Sequence, residues 1–352
     1  GNVAASPGVP LSLDNLITCL SSHRAGFNPN LGQKLTVTAL LSESTTWDLT
    51  IWDWSEEDPD EEVLVAQPAS GQGTYVVADW DGTDAMGETV EDGPYTYRLH
   101  AGTSSQTAEG GTSSHTIPEN QVEAAMFAPW GLDSDAIGTS ERQLFRRLHR
   151  IFKEKGIKAM SFLGEDASWE DFEKHIRDNP NCYLFVYAGH GGRWMPGGDI
   201  VGLHFYLWDN GDRQRVHDRM AAAPSEDYLY TVEILGLVAS PKMKLIYMEC
   251  CNLGTLWPPE DPEAEGASPM GIAFGVYSGA GDQAYVGFRR IVSGPKALYF
   301  TDTFFDFLVG DEMTVEEAVL ATVEATYYFR KNRCDKLKPE GNSCSGCKIP
   351  PP

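Results

Sequence analysis

The sequence is poor in basic residues and has no long apolar run. Of its 352 residues, 27 are Lys or Arg and 51 are Asp or Glu, so the formal net charge is −24. A surface this acidic repels nucleic acid, which is therefore excluded as an expected partner. No segment reaches the roughly 18 apolar residues that a membrane helix needs, so we expect no membrane span. Hydrophobic residues make up 41% of the chain, as in globular proteins.

The sequence also lacks an initiator methionine and a signal-like segment, since it begins at Gly1. A removed leader or a trimmed terminus would each account for this start. Basic residues are scarcest over 1–120, where three of them stand against 18 acidic residues. The length predicts two domains at roughly 150 residues each, and the uneven charge indicates that they differ in character.

The first half has the period-two pattern of short strands. Apolar and polar residues alternate over 35–40 and 47–54, and further strand-like runs follow between Gly, Pro and Asp clusters. This spacing predicts an all-β sandwich over 22–102. We expect 1–21 to be an N-terminal segment and the Gly-, Ser- and Thr-rich 103–120 to be a linker.

Three short segments of this half carry a resemblance. They are Phe27-Asn28-Pro29-Asn30, Trp80-Asp81-Gly82-Thr83-Asp84 and Asp92-Gly93-Pro94-Tyr95-Thr96-Tyr97. In this order they resemble the immunoglobulin-like module of flagellar hook-capping proteins, which recurs in secreted and surface-attached bacterial enzymes. The resemblance implies a spacer or packing partner, and a secreted or cell-surface location.

An acidic run over 56–62 lies inside the predicted β unit. It lacks the alternating oxygen ligands and the turn glycine of a calcium-binding loop. A solvated hairpin tip is the favoured interpretation. We therefore expect no cofactor, and calcium is the one ion that the composition leaves open.

From about residue 121 the pattern changes to alternating strands and helices. Strands are predicted at 122–128, 158–163, 183–188, 243–248 and 283–288, and helices at 142–152, 169–177, 297–309 and 314–329. Continuous apolar strands are typical of a sheet covered on both faces. The sequence thus predicts an α/β domain over 121–330 with a mostly parallel sheet.

A polar tail over 331–352 contains Cys334, Cys344 and Cys347. If the protein is exported, a disulfide within the tail or with Cys19 is the favoured interpretation. A zinc site is disfavoured because only one Cys-x-x-Cys pair exists and no His lies near it.

Two strand ends carry residues suited to chemistry. Tyr187-Ala188-Gly189-His190-Gly191-Gly192 ends one buried strand, and Tyr247-Met248-Glu249-Cys250-Cys251-Asn252-Leu253-Gly254 ends another. Active groups of such sheets lie just past the carboxyl ends of the strands. A Cys nucleophile needs a nearby base or cation to favour its thiolate. The glycines after His190 would let backbone amides approach a substrate carbonyl.

These two motifs are similar to those of the caspase-like cysteine peptidases, the grouping of clostripain, gingipain, legumain and metacaspases. His190-Gly191-Gly192-Arg193-Trp194 resembles the clostripain His segment, whereas 243–254 resembles the legumain strand that ends Glu-Ala-Cys-Glu-Ser-Gly. The likeness covers 121–330 in the order of its elements and is sharp over the two motifs only.

The resemblance implies a thiol protease, a hydrolase with a Cys-His dyad and a protein or peptide substrate. Its acid-x-Cys register assigns the nucleophile to Cys251 and places Cys250 in the interior. His190 would protonate the leaving amine, and the amides of Gly191 and Cys251 would hold the oxyanion. Glu249 would line the pocket for the residue before the cleaved bond, helped by Asp282, which predicts cleavage after Arg or Lys.

Two alternatives stay open at this point. Legumain-like enzymes also carry Glu at the position of Glu249 and accept Asn, and such an enzyme could transfer its acyl group to an amine. A non-catalytic surface or adhesion protein could use the same domain as a scaffold, since a fold does not imply a function. The oligomeric state is not readable from the sequence.

The remaining histidines and the insert between the motifs receive ordinary interpretations. His149 and His175 fall on predicted helices, where we expect them at the surface. His204 and His217 are candidates for a minor substrate contact. The long segment 193–240 predicts a mobile loop with an autoprocessing site, because its stretch 209–227 is polar and contains Arg213, Arg215 and Arg219. An ordinary exposed helix is the alternative for these arginines.

Overall fold

The structure is a computed structural model, and it describes most of the chain. The described residues are 16–54, 61–102, 106–131, 136–194, 202–209, 211–217, 228–231, 243–253, 270–271, 274, 276, 283–289, 292 and 294–336. Within them the protein has mixed α/β content, with an N-terminal sheet, a parallel sheet and a small third sheet.

The N-terminal sheet has six strands and is mostly antiparallel. Its strands are β1 (Ile17–Ser22), β2 (Gly26–Phe27), β3 (Leu35–Trp54), β4 (Glu62–Trp80), β5 (Gly93–Ala101) and β6 (Gln106–Ser114). The alternating segments predicted at 35–40 and 47–54 are both confirmed as strand, but they form one long strand, β3. Its pairing with β4 is interrupted by three irregularities, between Leu40 and Thr45, between Leu49 and Ile51, and between Ile51 and Trp52.

The predicted linker over 103–120 is wrong, because β6 occupies its centre. Strand β6 pairs antiparallel with the whole of β5, from Gly93 opposite Ser114 to Ala101 opposite Gln106. Its small residues are explained by close packing. A Cβ at Gly110 would lie 2.3 Å from the Tyr97 ring. The N-terminal sheet therefore extends to Ser114.

The acidic run falls between two paired strand ends. Trp54 of β3 lies opposite Glu62 of β4, and Glu62 forms an ion pair with Arg98. Residues 55–60 lie outside the described part of the chain, as does the whole tail from 337 to 352. Cys19 is exposed, and its predicted pairing with the tail also falls outside the described residues.

The second part contains the predicted parallel sheet, built from five strands. They are β7 (Ala124–Ala128), β8 (Ala159–Leu163), β9 (Leu184–Ala188), β14 (Leu245–Glu249) and β15 (Ala284–Gly287), in the order β15-β14-β9-β7-β8. All neighbouring pairs are parallel. Numbered along the chain, this is the doubly wound order 2-1-3-4-5. The strand predictions are confirmed, with bounds that differ by one or two residues.

Both faces of the parallel sheet are covered. Helices α1 (Ala136–Glu154), α3 (Gly294–Phe305) and α4 (Val315–Lys336) pack on the face that presents Leu245 and Tyr247. Helix α2 (Trp169–Phe172), continued by a wide turn over Glu173–Arg177, packs on the face that presents Ile246 and Met248. Residues that alternate along β14 therefore face different surroundings, which decides the environment of each motif residue at its end.

The insert between the two motifs forms the third sheet. Its strands are β10 (Gly191–Trp194), β11 (Gly202–Asp209), β12 (Asp212–His217) and β13 (Tyr228–Thr231). Arg213 and Arg215 lie on β12, so neither the cleavable loop nor the exposed helix predicted for 209–227 holds at these two positions. Residues 218–227 lie outside the described part. The apolar side of this sheet packs under β9 through Phe205, 5.1 Å from Tyr187 between ring centroids.

The N-terminal sheet packs against helix α1. The side chain of Arg142 is 2% exposed, and its Nη1 donates to the carbonyl oxygen of Gly131 at 2.6 Å. Arg146 forms an ion pair with Asp53 and lies over the Tyr95 ring at 4.8 Å. Charged groups of α1 are thus partnered within and across the contact between the two parts.

The predicted surface position of His149 and His175 is wrong. His149 of α1 is 9% exposed and His175 is 2% exposed, and His149 Nε2 lies 2.6 Å from the Ser161 hydroxyl. Burial, together with the charges of His115 and Arg146, lowers the pKa of His149 to about 3. Burial, followed by the charge of Lys174, lowers the pKa of His175 to about 4. Both imidazoles are therefore neutral in the folded protein at pH 7.

No helix of the described chain is long and apolar enough to cross a membrane.

The burial of His149 and His175 predicts an acid-sensitive fold. An unfolded chain binds a proton at each of these two histidines near pH 6.5, whereas the folded chain binds it only near pH 3–4. The free energy of unfolding should therefore fall as the pH drops from about 6.5 towards 4. We expect His149→Gln to lose less stability over this interval than the unchanged protein, as measured by urea unfolding at pH 7 and 4.5. His23→Gln, at an exposed position, is the control; equal losses in all three proteins would contradict the prediction.

Candidate active site

The two motifs lie at the same edge of the parallel sheet because β9 and β14 pair in a fixed register. Ala188 is the partner of Glu249, and the next amide, of Gly189, donates to the Glu249 carbonyl oxygen at 3.1 Å. His190 and Cys251 each follow this last pair by two residues. In a parallel pair the carboxyl ends meet at one edge, so the register brings the two residues to equivalent positions.

The loops that carry the motifs also contact each other. A Cβ at Gly191 would lie 2.9 Å from the Cys250 sulfur and 3.0 Å from the carbonyl oxygen of Cys251. Such distances are shorter than side-chain contacts allow, so a larger residue at position 191 would push the loops apart. The Gly191 backbone therefore lies beside Cys250 and Cys251, and its role as an oxyanion donor stays a prediction.

The two adjacent cysteines have different surroundings. Cys250 is 2% exposed and lies in the apolar core on the α2 face. Burial raises the pKa of its thiol well above the usual range, which makes it a poor nucleophile. Cys251 is half-buried, and its sulfur accepts the amide of Val292 at 3.4 Å. Val292 lies two residues before helix α3.

The backbone turns sharply directly after Cys251. Asn252 has a φ of 67°, in the left-handed region that few residues other than Gly adopt. Asn is among the few side chains that tolerate this conformation. Strand β14 ends at Glu249, and the turn leaves Cys251 at the rim of the sheet.

His190 is exposed, and its backbone is fixed by two tyrosines. The Tyr187 hydroxyl donates to the His190 carbonyl oxygen at 3.0 Å, and it accepts the amide of Tyr206 at 3.1 Å. The imidazole itself packs against Trp130, with 4.6 Å between ring centroids and 84° between ring planes. The ring contact and the tyrosine relay connect β7, β9 and β11 at one point.

Glu249 is neutral at pH 7, whereas cleavage after Arg or Lys predicts a charged carboxylate. Its carboxyl lies on the helical face of the sheet, bonded to the Thr301 hydroxyl of α3. Burial raises its pKa to about 8, and Asp302 adds to the shift. Its Oε2 atom is buried without a hydrogen-bond partner. The group is therefore mostly protonated and neutral at pH 7. Asp282, the predicted second acid of this pocket, lies outside the described residues.

Trp130, Asn252 and Val292 were not found by sequence reasoning. Trp130 follows β7 by two residues, and β7 is the other neighbour of β9 in the sheet. Its place at the same carboxyl edge could have been inferred from the doubly wound order once that order was assumed. The left-handed Asn252 and the contact of Val292 depend on tertiary packing and leave no sequence signal.

Two further features bear on ligands. Within the described ranges, no three His, Cys, Asp or Glu side chains are grouped to hold a metal ion. A cavity of about 750 Å³ lies between α1 and the N-terminal sheet, with Tyr95, Arg146 and Lys153 in its lining. Neither His190 nor Cys251 lines it, so this cavity is separate from the candidate site.

Comparison with known proteins leaves the family open. No protein-family profile and no curated protein match the chain. Among solved structures, PorZ of the type-IX secretion system of Porphyromonas gingivalis is 17% identical over 27% of this chain and 11% of its own, with a TM-score of 0.21. A β-glucosidase from Listeria innocua is 12% identical over 27% of this chain and 16% of its own (TM-score 0.20). Spo0M from Bacillus subtilis is 8% identical over 39% and 54% (TM-score 0.18).

These likenesses are too low to carry an argument about fold or function. The chain spans 11% and 16% of the first two structures. The chemistry of the candidate site therefore has to be inferred from its own geometry.

The close packing at Gly189 generates a prediction. Gly189 has a φ of 152°, and a Cβ there would lie 3.1 Å from both the Trp130 ring and the Tyr187 hydroxyl. We expect Gly189→Ala to displace the His190 loop and to lower the reactivity of Cys251 at least about tenfold. Site-resolved mass spectrometry after brief treatment with iodoacetamide measures this rate.

The matched control is Gly156→Ala. Gly156 also has a positive φ, 70°, but a Cβ there would meet nothing within 4 Å. Alanine strains the backbone at both positions, because both have a positive φ, and only Gly189→Ala introduces a close contact at the site. Equal Cys251 reactivity in the two variants would contradict the prediction.

Proposed function

We propose that the protein is a cysteine endopeptidase of the caspase-like grouping. One observation carries the proposal: the register of β9 and β14 brings His190 and Cys251 to equivalent positions at one edge of a parallel sheet. The contact of Gly191 with Cys250 and Cys251 supports it. A nucleophile and a base that follow neighbouring strands at one sheet edge lie where a dyad for acyl transfer could form.

In this proposal Cys251 attacks the scissile carbonyl and forms a thioester with the acyl part of the substrate. His190 takes the thiol proton of Cys251 and gives it to the leaving amine. It then takes a proton from the water that releases the acyl group and returns it to the Cys251 sulfur. The amides of Gly191 and Cys251 bind the oxyanion, a contribution of roughly 2.7–4 kcal/mol per donor.

The N-terminal sheet would be the immunoglobulin-like module of a secreted or cell-surface bacterial enzyme. Its support is structural: the unit packs on α1, whereas His190 and Cys251 lie at the carboxyl edge of the parallel sheet. This placement fits a packing partner that takes no part in the chemistry.

The state of Glu249 favours a second candidate specificity. Cleavage after Arg or Lys needs a charged carboxylate, because the cation binds through charge-assisted hydrogen bonds. A protonated Glu249 instead offers one donor and one acceptor, which matches the amide of an Asn side chain. If Glu249 lines the substrate pocket, as the resemblance implies, its neutral form at pH 7 favours a legumain-like enzyme that accepts Asn, whether water or an amine takes the acyl group.

The choice between the cysteines is tested by substitution. We expect Cys251→Ala to abolish peptide cleavage, because loss of a nucleophile costs several powers of ten in rate. Cys250→Ala should keep substantial activity, since its sulfur is buried. Peptide cleavage and labelling by peptide chloromethyl ketones measure both variants. The exposed Cys19 is an internal control for thiol reactivity. If Cys251 reacts no faster than Cys19, the peptidase proposal fails and the non-catalytic scaffold replaces it.

The pocket charge is tested by pH. If Glu249 lines the substrate pocket, it is neutral below about pH 8 and charged above it. The ratio of kcat/KM for matched Arg and Asn peptides should then rise as the pH passes from 6.5 to 9, and the ratio cancels the titration of the dyad. Glu249→Gln should keep the ratio low and flat. A high ratio that does not change with pH would show that Glu249 does not set the preference.

A further inference from the structure

We propose that Trp130 is a positioning residue for His190, which it holds in one orientation through a clamp formed with Tyr206 and Arg213. This inference rests on the proposed function, in which His190 must face Cys251. It adds a third strand end, that of β7, to the two that carry the motifs.

The rings of Trp130 and His190 are in direct contact. Trp130 and His190 meet nearly perpendicularly at 4.6 Å, which is a favoured arrangement for aromatic pairs. Because His190 is exposed, solvent alone would leave its imidazole several side-chain orientations. The ring contact favours one of them and so reduces the entropy lost on reaching the reactive geometry.

Trp130 is itself held in place by residues of the insert. Tyr206 of β11 packs edge to face with Trp130 at 5.2 Å. The Arg213 guanidinium of β12 lies over the Trp130 ring at 4.9 Å and over the Trp208 ring at 5.0 Å. These contacts fix the indole, and a support that is fixed can position another group.

The backbone next to the clamp is also held by hydrogen bonds. The carbonyl oxygen of Pro129 accepts hydrogen bonds from Arg213 Nε at 3.0 Å and from Trp208 Nε1 at 2.9 Å. The end of β7 is thereby tied to the β11–β12 hairpin, which continues from the His190 loop through β10. Gly189 approaches the other side of the indole so closely that a Cβ would lie 3.1 Å away.

A purely structural Trp130 would fill space, and an apolar residue of similar bulk would replace it. A positioning Trp130 acts through its ring, and Phe but not Leu would replace it. We therefore expect Trp130→Phe to keep kcat within about threefold. Trp130→Leu should lower kcat roughly 10- to 100-fold, as for a misplaced catalytic group, with KM within about twofold. Trp47→Leu, a half-buried Trp of the N-terminal sheet, should change neither constant.

A second readout does not depend on activity. The ring current of Trp130 should shift the Cε1 proton of His190 in the NMR spectrum, where His190→Gln identifies the signal. Trp130→Leu should move this signal towards the position of a solvent-exposed histidine, and Trp47→Leu should leave it unchanged. If the unchanged protein cleaves no peptide, the proposed function fails, and the NMR shift alone decides the ring contact.

The proposal is overturned by either of two results. One is a His190 signal that is the same in Trp130→Leu and in the unchanged protein. The other is a loss of kcat that is equal in Trp130→Phe and Trp130→Leu, because it would show that bulk or folding matters and the aromatic ring does not. Melting temperatures of all variants separate these effects from loss of the fold.

Discussion

The backbone ladder between β9 and β14 is the constraint on which the candidate site depends. Its register places Ala188 opposite Glu249 and so aligns the residues that follow. Side chains alternate between the two faces of a sheet, and a slip of one residue exchanges the faces. At this position a slip would exchange the surroundings of Cys250 and Cys251. The distinction between a buried thiol and a thiol at the rim is therefore a property of strand pairing, since the residue types are identical.

The same alternation of side chains between the two faces explains why the Glu249 carboxyl is protonated. Glu249 points to the face covered by α3, where it bonds to Thr301, while Cys250 points to the core under the insert. Both groups lose their water, and in both cases burial opposes the charged form. A single physical effect thus keeps the acid protonated and the first thiol unreactive, and it leaves Cys251 as the thiol of the motif with access to solvent.

Much of the fold could be predicted from local pattern. The apolar runs that became β7, β8, β9, β14 and β15 were found because buried parallel strands need few polar residues. The prediction failed where a residue type is required by packing between secondary-structure elements. The glycines of β6 indicated a linker, although Gly111 is needed because a Cβ there would lie 2.7 Å from the Arg142 side chain. The periodicity of α1 located His149 on a helix but could not show that the N-terminal sheet and β8 would enclose it.

The continuity of β5 and β6 has a consequence for dissecting the chain into fragments. A cut at the composition boundary near residue 103 would remove β6 from one fragment and leave the full length of β5 without a partner on that side. An unpaired edge exposes a row of amide and carbonyl groups that recruits other strands, and so promotes aggregation. The α/β fragment would meanwhile carry nine residues with no strand to pair with. A cut within 115–123 keeps every described strand with its partners. Moving the cut by about a dozen residues, from 103 into this stretch, should therefore raise the solubility of both halves.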